Sequence, residues 1–293
     1  MTTKTKLPIQ LGDSIEHCGI VVAPLFPRSD PRAQYLTLDQ AVAPGFTVTE
    51  VDAAGSVPEL LAHNPLDASV LLYDGEELIG AKQNRILNVT VRVAAASETR
   101  IPVSCVEEGR WRARSRHFAP SAHAAYPELR RRKALRLSPA PLERGIAQGE
   151  VWHEVAAKSA RMRVDSPTRA QADIFEQHGD LLAALKDSFP LARGQAGALF
   201  ALGERRCLDY VSRPTAFAHL YTKLLHGYLL DAIERLDGAP ARELEPFLDA
   251  IARAPRARRA SAGLGDDVRI ADDEVVGSGL ELNGELVQLC VFA

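Results

Sequence analysis

Cysteine is scarce in this chain, with four in 293 residues. Cys18, Cys105, Cys207 and Cys290 stand far apart and form no CxxC pair. That spacing argues against a structural zinc site, whose ligands come in close pairs, and against a disulfide framework. Long apolar runs are missing too. No stretch approaches the roughly 18 apolar residues of a membrane-spanning helix. The opening MTTKTKLPIQLGDSIEHCG has no apolar segment of signal-peptide length. No membrane association is expected, and cytoplasmic residence is the default expectation. Surplus charge is absent as well: a net charge of −3 selects no partner. No GxGxxG, GxxxxGKS/T or GxSxG pattern occurs, so the common nucleotide fingerprints and the nucleophile elbow are excluded. WHEVAAK is not the HExxH of a zinc protease. Neither a metal nor a cofactor is expected.

What is present is an average soluble composition, 46% hydrophobic and 25% charged. The length suits one large domain or two ordinary ones. Character changes near residue 145, which predicts an α+β protein. A β-rich half, residues 1–145, carries antiparallel hairpins, and a half of mixed helices and hairpins, residues 146–293, follows; the two can share one core. In the first half HCGIVVAPLF and FTVTEV read as strands, and LTLDQAVAPG as a short helix with Thr37 as cap and Gly45 closing it. Asp74-Gly75 between ASVLLY and EELIG is a two-residue hairpin signal. ILNVTVRVA alternates, with Leu87, Val89, Val91 and Val93 against Asn88, Thr90 and Arg92, as a half-buried strand does. TRIPVSCVE is expected to pair with it through AAASE.

In the second half, EVWHEVAAKSARM has helical spacing. DSPTRAQADIFEQHGDLLAALKDSF predicts one helix with Ser166 as cap and Pro167 at its first position. The clearest helix runs through Phe217, Leu220, Leu224, Tyr228 and Ile233, with Gly238 where it would stop. Hairpins are expected at Gly203-Glu204 and Asn283-Gly284. ARAPRARRASAGLGDD reads as an exposed, mobile loop. His219 and His226, seven apart on the apolar helix, read as structural rather than as metal ligands.

Two stretches stand out. DGEELIGAKQNRILN crowds Glu76, Glu77, Lys82, Gln83, Asn84 and Arg85 beside Gly75 and Gly80 in a region that otherwise reads as sheet. A glycine within a strand suggests a bulge, which re-aims side chains. Lys82 and Arg85 can pair on a surface, hold an anion, or, for a desolvated Lys82 beside a glutamate, act as base or nucleophile. A solvated surface hairpin is the competing reading. The second stretch, Glu107–Arg136, holds eight arginines, one lysine and three glutamates, a surplus of +6. If GRWRARSRHF is extended, Arg110, Arg112, Arg114 and Arg116 share one face and Trp111 takes the other. Guanidinium forks match phosphate oxygens, whereas an edge strand guarded by charge is the alternative. Aromatic interleaving is sparse, so nucleic acid is not the expected partner. Alternation puts Cys105 with Ile101 and Val103 on an apolar face, and Ser104 opposite, toward Asn88 and Thr90. Asp209, in an otherwise apolar strand, needs a partner or solvent.

These two motifs resemble a bacterial and archaeal domain family named for its association with ADP-ribosylglycohydrolase and rhodanese-phosphatase proteins. The likeness extends through YLTLDQA, GSVPEL, VWHEVA, GALFALG, FLDAI and AGLGDDVRI. It implies genomic company with ADP-ribose and NAD-derived metabolites, and no assigned activity. The function expected is binding of a small phosphorylated metabolite, ADP-ribose-like first, with hydrolytic or transfer processing if chemistry occurs. Glu77 is the candidate general base and Lys82 its catalytic companion. Gln83, Asn84, Arg85, Ser104, Glu107, Arg110, Trp111 and Arg112 are the candidate ligand contacts. A non-catalytic sensor or adaptor and a structural module are the alternatives, and a protein partner or a second copy stays open.

Overall fold

A computed structural model describes residues 7–52, 55–56, 58–138, 144–234 and 243–293. The chain opens with β1 (Ile9–Leu11), β2 (Ile15–His17), β3 (Ile20–Pro27), β4 (Leu36–Thr37) and α1 (Leu38–Val42). Seven strands follow: β5 (Thr47–Glu50), β6 (Glu59–Asn64), β7 (Val70–Leu72), β8 (Glu76–Gly80), β9 (Arg85–Leu87), β10 (Val91–Val93) and β11 (Ser97–Cys105). After β12 (Phe118–Ala124) come α2 (Pro127–Leu137), α3 (Arg144–Arg161), α4 (Gln171–Gln177) and α5 (Gly179–Lys186). The chain closes with β13 (Gly197–Leu202), β14 (Arg205–Val211), α6 (Pro214–Glu234), α7 (Glu245–Arg253), β15 (Arg256–Ala260), β16 (Asp266–Ala271), β17 (Val276–Leu282) and β18 (Glu285–Phe292). The fold is α+β, and every strand pairing is antiparallel except β4 with β7 among the described residues.

Nine strands make the larger sheet, ordered β1-β3-β13-β14-β18-β17-β16-β15 with β2 on β3. Strands from both sides of residue 145 meet in it, Ile20 opposing Leu202 and Leu25 opposing Gly197. Alternation along β13 sends Phe200 to one face and Leu199 to the other. The first face packs on α6 through Phe217, Leu224 and Tyr228, and the second on α7 through Phe247 and Ile251. The β13–β14 and β17–β18 hairpins turn where expected, and Asn283 and Gly284 both take positive φ, as a two-residue turn requires. The Thr37 cap also stands: the Gln40 side chain accepts from its N–H at 3.0 Å. Gly238 lies outside the described residues.

A six-stranded sheet, β12-β8-β9-β11-β6-β5, carries both motifs. Its edge strands β5 and β12 approach each other, so it curls around Leu60, Leu78, Leu87, Ile101 and Val103. The three-stranded sheet β10-β7-β4 adds Val70, Leu72, Val91 and Val93 to that core.

Four expectations are corrected. Asp74-Gly75 does form a turn, with Glu76 N–H on Tyr73 O at 3.0 Å. It carries the chain from one sheet to another, and β7 and β8 do not pair. ILNVTVRVA is two strands, β9 and β10, in different sheets; only β9 pairs with β11. Both its faces are buried, because Asn88, Thr90 and Arg92 find partners inside. The helix expected from Ser166 starts at Gln171 and is interrupted at His178. Residues 168–171 instead lie against 106–109 through Gly109 N–H to Thr168 O and Gln171 N–H to Val106 O. The basic loop is largely strand: β15 pairs with β16, and Arg258 and Arg259 reach Glu281 and Asp267 at 2.6 and 2.7 Å.

Asp209 has its partners. Fully buried, it accepts from Tyr73 Oη at 2.7 Å, Tyr228 Oη at 2.6 Å and Arg130 Nη1 and Nη2 at 2.9 and 2.6 Å. Burial opposes its ionisation, but the Arg130 guanidinium outweighs burial and holds the carboxyl below its usual range. Arg130 and Lys133 also face Asp74, so a strip of buried charge ties α2 to both large sheets.

Candidate functional site

The two motifs meet. At the end of β8 the chain reverses through Gly80 (φ +126°) and Ala81 (φ +38°). A Cβ on Gly80 would lie 2.5 Å from Ser115 Oγ, so the sequence needs glycine there for close approach as well as for conformation. The Arg110 guanidinium spans this turn. It donates to Ala81 O at 2.7 Å, Arg112 O at 2.9 Å and Asn84 Oδ1 at 3.1 Å, and pairs with Glu107 at 2.6 Å. Glu107 also accepts from Asn84 N–H at 3.1 Å, and Gln83 Nε2 donates to Glu107 O at 2.9 Å. Burial works against Glu107, but the bonds from Arg110 and Asn84 prevail and hold it below the usual carboxylate range. Arg110, Asn84 and Glu107 are therefore the clasp that fixes the turn. The expected ladder of four aligned guanidinium groups does not form. Residues 111–117 are an exposed, non-strand loop, with Arg110 drawn inward and Arg112, Arg114 and Arg116 in solvent. Nor is the first motif a solvated hairpin: Glu76, Glu77, Gln83, Asn84 and Arg85 are all buried.

Register decides what faces the inside of the curled sheet. Opposed residues in an antiparallel pair share a face. Arg85 opposes Leu78 and Cys105, and Glu50 opposes Leu60. Leu60 and Leu78 belong to the enclosed core, so Arg85, Cys105 and Glu50 point inward as well. They sit at one end of the barrel-like sheet, beside the 81–84 turn. Gln83 Oε1 takes Arg85 Nη1 at 2.7 Å and the Cys105 thiol at 2.7 Å. Arg85 Nη1 also touches Cys105 Sγ. Arg85 Nε and Nη2 are buried without a hydrogen-bond partner among the described residues. Trp111, half exposed, covers this mouth, its ring centroid 5.6 Å from the Arg85 guanidinium and 5.3 Å from Lys82 Nζ. Burial pushes the Cys105 thiol up to about 11, so it is no thiolate nucleophile at neutral pH.

Glu77 lies elsewhere. It opposes Ile86, on the face of β8 away from Leu78 and Arg85. Ser121 Oγ donates to its Oε2 at 3.4 Å, and its Oε1 has no partner among the described residues. The Gln171 amide lies alongside without reaching hydrogen-bond geometry. Burial, reinforced by the charges of Glu107 and Asp173, raises the Glu77 carboxyl to about 8. An unfolded glutamate ionises near 4.5, so the native state holds the extra proton between 4.5 and about 8. Stability is lost as pH rises through that window, by roughly 5 kcal/mol at most. Glu77→Gln should therefore change stability little at pH 5 and raise it by a few kcal/mol at pH 9, read by urea denaturation at both pH values. Equal effects at the two pH values would remove the buried, protonated carboxyl. Ser104 faces the same side as Ile86, buried, donating to Asn88 at 2.8 Å, and is not an accessible hydroxyl.

The structure thus brings together Lys82, Gln83, Arg85 and Trp111 at the mouth, frames them with Asn84, Glu107 and Arg110, and separates Glu77 and Ser104 from them. Arg112 stands next to the mouth in solvent. Glu50 was not legible as a site residue: it ends a short strand 35 positions before Arg85, and only strand register joins them. An open surface hollow between α2 and α3, lined by Glu128, Arg131, Arg132, Leu135, Arg136 and Glu150, shares no residue with either motif.

A family model, the ARG and Rhodanese-Phosphatase-superfamily-associated Protein domain (ARPP-1), matches residues 8–292. The chain belongs to the ARPP-1 family. The match runs from β1 to the end of β18, so the mouth is part of the family domain. No curated protein and no solved structure matches the chain. Among the described residues no group of three or more His, Cys, Asp or Glu is arranged to hold a metal ion, and no helix is long and apolar enough to cross a membrane. His226 meets His123, Nδ1 to Nδ1 at 3.2 Å, while His219 is exposed.

Proposed function

We propose that this ARPP-1 domain binds a small phosphorylated metabolite at the mouth of the curled sheet, with ADP-ribose or an NAD-derived molecule the first candidate. One observation carries the reading. A guanidinium buried to 0% exposure keeps two donor nitrogens, Nε and Nη2, unpaired at Arg85 among the described residues. A buried charge without a partner is expensive, and an oxyanion would satisfy both donors in one bidentate contact. The surroundings suit such a ligand. The Trp111 ring offers a stacking plane for a base, and Arg112, Arg114 and Arg116 give the rim positive charge that attracts phosphate. Lys82 and Gln83 flank Arg85 and orient the polar part. The family name supports the ADP-ribose choice through its coupling to ADP-ribosylglycohydrolases.

Glu77, protonated and on the opposite face, favours a binding role over turnover by that residue. A thermal-shift series with ADP-ribose, NAD, nucleoside phosphates and unphosphorylated ribose tests the proposal. A ligand at 100 times its dissociation constant adds about 2.7 kcal/mol, roughly 5 °C for a chain of this size. A shift with phosphorylated ligands, diminished in Trp111→Ala, is the expected result. No shift with any of them would favour a structural module.

A further inference from the structure

A second unpaired group at the mouth has the opposite charge. Glu50 ends β5 and faces inward through its register with Leu60. Its Oε1 accepts from Lys82 N–H at 3.3 Å, which fixes the carboxylate against the 81–84 turn. Its Oε2 is buried and has no hydrogen-bond partner among the described residues. Arg85 opposes Cys105 on the same inward face, and the Lys82 N–H bond holds Glu50 at the turn three residues before Arg85, so both lie at this end of the sheet. No ion pair joins them among the described residues, although each keeps unsatisfied hydrogen-bonding capacity. Opposite charges near one point that leave each other unpaired fit a ligand with two kinds of group: an anion for Arg85 and hydrogen-bond donors for Glu50. A carboxylate oxygen only accepts. Arg85 and Lys82 already make the mouth positive, which disfavours an ammonium and leaves neutral donors, of which the hydroxyl groups of a sugar phosphate are tied to the anion itself.

We propose that Glu50 is the specificity-determining residue of the mouth. Its free carboxylate oxygen receives the hydroxyl groups of a sugar whose phosphate sits on Arg85, which makes the ligand class a ribose phosphate and not a bare oxyanion. This rests on the reading of Arg85 as the anion site. A site built to accept a hydroxyl rejects the analogue that lacks it, because its own polar atom is then left buried and unpaired.

Isothermal titration of the full chain with ribose 5-phosphate, 2-deoxyribose 5-phosphate and inorganic phosphate tests it. The wild type should prefer ribose 5-phosphate over the deoxy sugar by at least about tenfold. Glu50→Gln keeps an acceptor for Lys82 N–H, so the turn is retained, and removes the charge. It should weaken ribose 5-phosphate by about tenfold, shrink the preference over the deoxy sugar, and leave inorganic phosphate as tight or tighter. Equal binding of the two sugars by the wild type, with Glu50→Gln indifferent, would overturn the role of Glu50 and leave the anion site standing. Failure of all three compounds to bind the wild type would overturn the anion site itself, and this inference with it.

Discussion

An Arg85→Met protein should melt above the wild type when no ligand is present and should give no thermal response to ADP-ribose. The first half follows from burial. Arg85 is 0% exposed, and two of its nitrogens have no partner among the described residues, so its charge is held in the core edge at a loss. A methionine of similar length fills the space beneath Trp111 without that penalty. Replacing even a paired set of buried charges by apolar groups of similar volume runs from neutral to a gain of about 4 kcal/mol, and Arg85 has no ion pair to lose among the described residues. The second half follows from geometry, since among the described residues no other buried guanidinium at the mouth is unengaged: Arg110 spends its donors on Glu107, Asn84 and three carbonyls. Stability and binding should therefore move in opposite directions in one variant. A lower melting temperature with binding retained would show that Arg85 is a packing residue and no receptor. Comparing the melting curves of both proteins with and without ADP-ribose reads both halves at once.

The largest loss of stability should come from Asp209→Ala. The carboxylate is fully buried and takes four hydrogen bonds, two from Arg130 and one each from Tyr73 and Tyr228. Removing one member of a buried ion pair costs about 3–5 kcal/mol, because the remaining charge stays desolvated. Two tyrosine hydroxyls lose their acceptor in addition. Asp209→Asn keeps one acceptor oxygen and the volume and should cost less. Urea denaturation of the two variants orders them. A loss below about 1 kcal/mol for the alanine variant would mean that Arg130 is satisfied by Asp74 alone. The ligand response at the mouth should survive in the asparagine variant, since Asp209 lies in β14 and not in the six-stranded sheet.

Much of the fold is legible in the chain. The period-two pattern of TVTE, the Gly203-Glu204 and Asn283-Gly284 turns and the apolar stripe of α6 act through neighbouring residues, so local reading finds them. Long-range partners are less legible. Asn88, Thr90 and Arg92 look like a solvent face, because nothing nearby in sequence says that Ser104, Asp74 and Ser69 will meet them. Ser166 and Pro167 form a sound cap signal, but pairing of 168–171 with 106–109 wins over it.

The site divides in the same way. Crowded polar residues beside Gly80 and the arginine-rich segment stand out in the sequence, and the structure brings them into contact. Which of them point into the curled sheet with donors to spare is set by strand parity and by who satisfies whom. Arg110 looks like a phosphate ligand until Glu107 and the turn carbonyls occupy it. Glu77 looks like a base until one step of register turns it away from Arg85.

The chain has two tryptophans, Trp111 and Trp152. A Trp152→Phe protein leaves Trp111 as the only indole reporter, directly over the Arg85 guanidinium. Titrating it with ADP-ribose while following indole fluorescence asks whether the ligand enters the mouth. A saturable change in emission, absent when Arg85→Met is added, is predicted. Saturable binding by calorimetry with Trp111 emission unchanged, or no binding at all, would contradict the mouth as the site.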